Sequence, residues 1–259
     1  MFGTMFFGRE RCRLVRRAYR SVHHADKRLI LGTEISVQMS ELALHGGPKA
    51  AESLEIPEWP QVTDQDRANV LDALDSGAWC RNNRNAHWVE RFEDEWAEFH
   101  EADHAIAVSN GTVAIEVALR MCDVHPGDEV LLPPYTFIAT ASAITSVGAV
   151  PRFVDVDPET YNVDPDSVAE QVTDRTVGLV GVHIAGYPMD LDELVPVVEE
   201  HDLLFIEDAA HAQGTEWRGK KIGTFGDVGT FSFQETKSLS AGEGGIVITD
   251  DELLAERGH

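Results

Sequence analysis

Lysine is scarce in this 259-residue chain, cysteine occurs three times, and no apolar run approaches the about 20 residues that span a bilayer. The last shortage argues against a membrane helix. Cys12, Cys80 and Cys122 lie far apart without metal-ligand spacing, so they read as free thiols and point to no metal site. So few cysteines suit a reducing cytoplasm. Basic residues are few altogether: 21 Lys and Arg stand against 45 Asp and Glu, a net charge of −24. Such a surface repels nucleic acid. With so little lysine it reads as adaptation to high salt, where screening weakens self-repulsion. Hydrophobic patterning through the body of the chain excludes an acidic disordered protein.

The charge is unevenly spread. Residues 1–39 hold eight Lys/Arg and three Asp/Glu, for +5, and the remainder carries −29. This Arg-rich start lacks the apolar stretch and small-residue cleavage site of a signal peptide. It reads as a basic extension outside the fold, with Met39 opening the acidic body; a basic amphipathic membrane anchor is the alternative.

From about residue 60 the pattern alternates between helical and strand periods. Helices are expected over 64–76, 88–100, 111–122, 137–148 (ending at a glycine cap), 164–172 (Asp164 as N-cap, proline next) and 190–200. Strands are expected over 105–109, 129–133, 150–156, 176–184, 203–208, 229–233 and 245–249. Apolar strands alternating with helices predict an α/β fold with a mainly parallel central sheet.

In such sheets ligands gather at the carboxyl ends of the strands, and four segments place polar groups there. Ser109-Asn110-Gly111-Thr112 follows a strand and opens a helix, whose free N–H groups could bind a phosphate; alone it is also an ordinary strand-to-helix turn. Phe137 opens the next helix, where its ring could stack on a flat cofactor or simply fill the core. Asp208 and His211 follow an apolar strand. The carboxylate could pair with a protonated ring nitrogen, or cap a helix or join a salt bridge. Lys237, in Thr230–Gly245, could form a Schiff base if burial or nearby positive charge keeps its amine partly neutral; the alternative is a surface lysine. Together they make a set that pyridoxal phosphate requires: phosphate cradle, stacking ring, partner for the ring nitrogen and Schiff-base lysine.

In the order and spacing of these segments the chain resembles the DegT/DnrJ/EryC1/StrS family of sugar aminotransferases over about residues 42–259. The likeness is carried by GGPKA, SNGT, TFIATASAI, GAVPRFVDVDPETYNVDP, EDAAHAQG and FSFQETKSLSAGEGG. The motifs WPQ (59–61), FSFQ and AGEGG look most like the scyllo-inosose and aminohydroxybenzoate members. The resemblance implies the large domain of the aspartate-aminotransferase fold (fold type I) over 40–259, with pyridoxal 5'-phosphate as cofactor. It implies Lys237 as the Schiff-base lysine and Asp208 on the pyridine nitrogen. His211 would lie near the phenolic oxygen, Phe137 on the ring face, and Gly111, Thr112 and Ser232 on the phosphate. It further implies amino transfer from glutamate or glutamine to a keto sugar or keto-cyclitol, by a cytoplasmic homodimer. A dehydratase on the same scaffold would carry histidine in place of Lys237. A regulatory homologue and a nucleotide-binding α/β protein are further alternatives. Family members continue into a smaller C-terminal domain that is expected to complete the site, so residues 1–259 alone are expected to bind cofactor poorly. The loop GAWCRNNRNAHW (77–88) departs from the family's glycine-rich version.

Overall fold

The computed structural model describes residues 42–49, 51–55, 57–81, 83 and 85–259. The expected basic extension, 1–39, lies outside the described residues. The chain divides between Pro57 and Glu58. In the first unit the described residues hold one short 3-10 turn, Ala43–His45, closed by Gly46 at φ 98°.

The second unit contains every other element. Helix α1 is Asp64–Asp75, opened by a capping box in which Thr63 and Asp66 satisfy each other's backbone N–H. Helix α2, Trp88–His100, turns Glu93, Trp96 and His100 inward, on one helical face. Strand β1 is His104–Val108 and leads into α3, Gly111–Met121, capped by Asn110. Strand β2, Glu129–Leu132, leads to α4, Ile138–Ser146. Gly148, at φ 87°, lets the chain turn out of that helix as its glycine cap was expected to do. Strand β3, Val150–Phe153, stops short of the expected 156 because Val156 forms an isolated bridge with Val163 instead. Helix α5, Pro165–Gln171, has Asp164 as its cap. Strand β4, Thr176–Val182, ends early at the 3-10 turn Ile184–Gly186. Helix α6 is Leu191–Glu200 and β5 is Leu204–Asp208. A small hairpin, β6 (Glu216–Trp217) and β7 (Lys220–Lys221), and the terminal helix α7 (Glu252–Gly258) were not anticipated. Strands β8, Val228–Ser232, and β9, Gly245–Thr249, complete the main sheet.

The main sheet has seven strands in the order β1-β9-β8-β5-β4-β2-β3. Strands β3, β2, β4, β5 and β8 pair in parallel, and β9 runs against both of its neighbours. The reversal follows from the connection: no helix lies between β8 and β9 to carry the chain across for a parallel return.

Period-two alternation sorts the strands onto two cores. Leu131, Leu179, Phe205, Phe231, Ile246 and Ile248 pack on one side with Trp96 of α2 and Leu191, Leu194 and Val198 of α6. Val130, Leu132, Val180, Ile206, Val228 and Val247 pack on the other with Ile115 and Leu119 of α3 and Ile144 of α4. Both faces are covered, which accounts for the apolar runs in the sequence. Six of the seven strands consequently end at one edge, where β9 begins.

Candidate active site

A cleft of about 970 Å³ opens along that edge. All seven residues singled out from the sequence line it: Gly111, Thr112, Phe137, Asp208, His211, Ser232 and Lys237.

At one end, α3 begins. Asn110 Oδ1 accepts the Val113 N–H at 2.9 Å, while the amides of Gly111 and Thr112 have no partner within the helix. The end of β8 presses on this turn so closely that a Cβ on Gly111 would lie 2.7 Å from Ser232 Cβ. A Cβ on Gly245, at the start of β9, would fall 2.4 Å from the Asn110 carbonyl oxygen. Only glycine permits both approaches. They bring a hydroxyl beside the positive end of a helix, a donor set suited to a phosphate monoester. Gln213 ties the turn after the neighbouring β5 to this point, with Nε2 donating to Ser232 O at 2.7 Å and to Ala210 O at 3.2 Å.

On the floor, Asp208 ends β5 and is buried. Its Oδ1 accepts from the Ala210 N–H at 3.2 Å and its Oδ2 from the Thr140 hydroxyl at 3.1 Å. It forms no ion pair among the described residues. Beside it, His211 Nδ1 accepts the Ala185 N–H at 3.2 Å. Ala185 reaches that position from the left-handed region, at φ 53°. Burial, and next the charge of Lys237, hold the His211 ring below its ordinary pKa against the pull of Asp208. The neutral ring therefore carries its proton on Nε2.

Lys237 stands in the loop after β8. Its N–H donates to Gln234 O at 2.8 Å, and Gln234 bridges to Gly242 across the loop. Trp59 Nε1 donates to Glu235 O in the same loop at 2.7 Å. Burial lowers the Lys237 amine below the ordinary lysine value, opposed by Asp208. The half-buried amine is thus no ordinary surface lysine. Phe137 is 69% exposed, so the core alternative fails and its ring is free to cover a flat ligand. Cradle, floor carboxylate, neutral histidine, free aromatic face and softened amine fit pyridoxal 5'-phosphate in chemical type.

Several participants were not read from the sequence. Thr136 and Thr140 form a hydroxyl pair at 2.8 Å, for which their i, i+4 spacing was the available signal. His183 and Glu207 form a buried pair under the floor, and two residues 24 apart give no such signal. Among the described residues no group of three or more His, Cys, Asp or Glu could hold a metal ion, and no helix is long and apolar enough to cross a membrane.

The α/β architecture with its mostly parallel central sheet is that of the large domain of fold-type-I aminotransferase structures. The chain belongs to the DegT/DnrJ/EryC1/StrS aminotransferase family, whose model matches residues 60–259. It is 44% identical over 202 residues to a 3-amino-5-hydroxybenzoate synthase of Amycolatopsis mediterranei, covering 78% of this chain and 52% of that protein. It is 42% identical over 224 residues to an L-glutamine:2-deoxy-scyllo-inosose aminotransferase of Streptomyces kanamyceticus, covering 85% and 52%. The crystal structure of a 3-amino-5-hydroxybenzoic acid synthase superposes with a TM-score of 0.76 at 43% identity, over 79% of this chain and 53% of that one. The chain spans about half the length of the curated relatives it matches.

Proposed function

We propose that this chain is the cofactor-holding part of an aminotransferase that uses pyridoxal 5'-phosphate. It moves an amino group from glutamate or glutamine to a keto sugar or keto-cyclitol. The convergence of Lys237, Asp208 and the Gly111–Ser232 cradle on one cleft carries the reading. Family membership supports amino transfer, and the relatives' names supply the substrate class and, for one, glutamine as donor.

When bound, the cofactor supplies an electron sink for negative charge at the amino-bearing carbon. Lys237 would be its covalent anchor and, once released from that link, its Nζ would accept and return the proton at that carbon. Burial serves both tasks, because a lysine of ordinary pKa is almost fully protonated near neutrality. Asp208 accepts a hydrogen bond from the protonated ring nitrogen and favours its charge. His211 offers its Nε2 proton beside the ring. The amides of Gly111 and Thr112 and the Ser232 hydroxyl hold the phosphate, and Phe137 covers the ring face.

The working form in this reading is a cytoplasmic homodimer whose acidic surface is suited to high salt; the charge of −24 supports the last point. The test is an assay of residues 1–259, with the smaller C-terminal domain of a family member supplied in the same chain or as a second polypeptide, using glutamine or glutamate against a panel of keto sugars and keto-cyclitols. Amine-bearing product is expected from at least one when that domain is supplied. Loss of a hydroxyl without nitrogen transfer would replace the reading with a dehydratase.

A further inference from the structure

Thr140 is completely buried in the first turn of α4, yet its side chain reaches the cleft floor. Its hydroxyl donates to Asp208 Oδ2 at 3.1 Å. A hydroxyl has one proton to give. Having given it to Asp208, Thr140 must receive one from Thr136, whose Oγ1 lies 2.8 Å away. Thr136 lines the cleft, so a directed chain of two hydroxyls runs from the cleft wall to the carboxylate. The only other hydrogen bond to this carboxylate among the described residues comes from the Ala210 N–H. Backbone thus fixes one oxygen and Thr140 fixes the other.

We propose that Thr140, oriented by Thr136, is a positioning residue that sets the plane of the Asp208 carboxylate for the cofactor's ring nitrogen. The inference rests on the proposed cofactor site. Its physical content is preorganisation. A buried carboxylate held by one backbone donor alone must be ordered when the ligand arrives, whereas one held on both oxygens is ready. Donation from Thr136 polarises the Thr140 hydroxyl and strengthens the second bond.

The experiment compares affinities of the purified protein for pyridoxal 5'-phosphate and for its analogue with the ring nitrogen replaced by C–H. Both are measured by quenching of tryptophan fluorescence. Thr140→Val keeps the shape and removes the hydroxyl; Thr140→Ser keeps the hydroxyl. Thr140→Val is expected to lose about tenfold in affinity for pyridoxal phosphate and less than about twofold for the analogue. Thr140→Ser is expected to restore the wild-type preference. An equal loss for both ligands would make Thr140 a packing residue and overturn the inference. Asp208→Asn separates the two readings. If it keeps the wild-type preference for the ring nitrogen, Asp208 itself is misassigned. If it loses that preference and Thr140→Val does not, only the role of Thr140 falls. Should Thr140→Val fail to fold, Thr136→Val decides, with a selective loss of about threefold expected and none refuting. All variants are measured with the smaller C-terminal domain of a family member supplied, and a wild-type protein that takes up neither ligand in that form overturns the cofactor site and this inference together.

Discussion

Glu207 and Asp208 are neighbours on β5 and face opposite sides of the sheet. Asp208 meets the cleft with two hydrogen bonds, while Glu207 is completely buried and accepts four. Those four come from His183 Nε2 and the N–H groups of Gly223, Phe225 and Gly226, at 2.7–3.0 Å. Met189 N–H donates to His183 Nδ1, which places that ring's proton on Nε2, toward Glu207. Burial works to raise the Glu207 carboxyl, but the bonds from His183 and the amides outweigh it and hold the group below the usual carboxylate range. The strand thus puts a rigid carboxylate under the functional one.

Glu207→Gln should therefore destabilise the fold by about 2–3 kcal/mol, since an amide turns an NH2 toward at least one donor and loses the charge-assisted bonds. Urea unfolding measures it. A midpoint within error of wild type would show that the hub contributes nothing.

Lys237→Ala should end covalent attachment of the cofactor and reduce amino transfer to background, because among the described residues no other amine lines the cleft. Borohydride reduction followed by peptide mapping should label Lys237 in the wild type and no residue in the variant. Label on Lys220 or Lys221 would contradict the placement.

Phe137→Ala should weaken pyridoxal phosphate binding by about 1 kcal/mol, or about fivefold, through lost ring contact. Since the side chain is exposed, the unfolding midpoint should hardly move. A large fall in stability with unchanged affinity would reverse the assignment.

His100 supplies a pH signature of the fold. Burial, the first cause, lowers its pKa to about 4 from 6.5; the Trp96 carbonyl raises it and Lys221 lowers it. The unfolded chain therefore binds a proton that the folded chain refuses between these values. Stability should be unaffected by this group above pH 6.5 and should fall by up to about 3 kcal/mol as the pH drops toward 4. Comparing the pH dependence of urea midpoints in wild type and His100→Gln isolates the effect, and parallel curves would exclude it.

The proposed adaptation to salt predicts that the unfolding midpoint rises from low to molar NaCl as the surface charge is screened. A flat response would remove that reading.

The sheet was legible because its strands are apolar on both faces and are separated by helices, one of them with Asp164 as a visible cap. The reversal of β9 was not, because direction depends on how residues 233–244 return the chain and not on the periodicity of Gly245–Thr249. That these seven residues would gather along one cleft was legible through motifs at strand ends. Their supports were hidden for different reasons. Thr140 looks like any small residue in an apolar helix, and its importance comes from Asp208 meeting it across 68 positions. Ala185 carries no sign in its identity that it occupies a left-handed conformation. Helix α7 follows directly on β9, and its seven residues are too few for a periodic signal.

The contact between Gly111 and Ser232 joins parts of the chain that are remote in sequence. The helix start alone is a short peptide with loose amides, and the Ser232 hydroxyl reaches it only after β8 has taken its place in the sheet. In the proposed site, phosphate capture is therefore expected late in folding, because it needs non-local strand pairings that form slowly. On that reading, uptake of pyridoxal phosphate during refolding should trail the return of secondary structure, since the cradle waits for β8 to join the sheet.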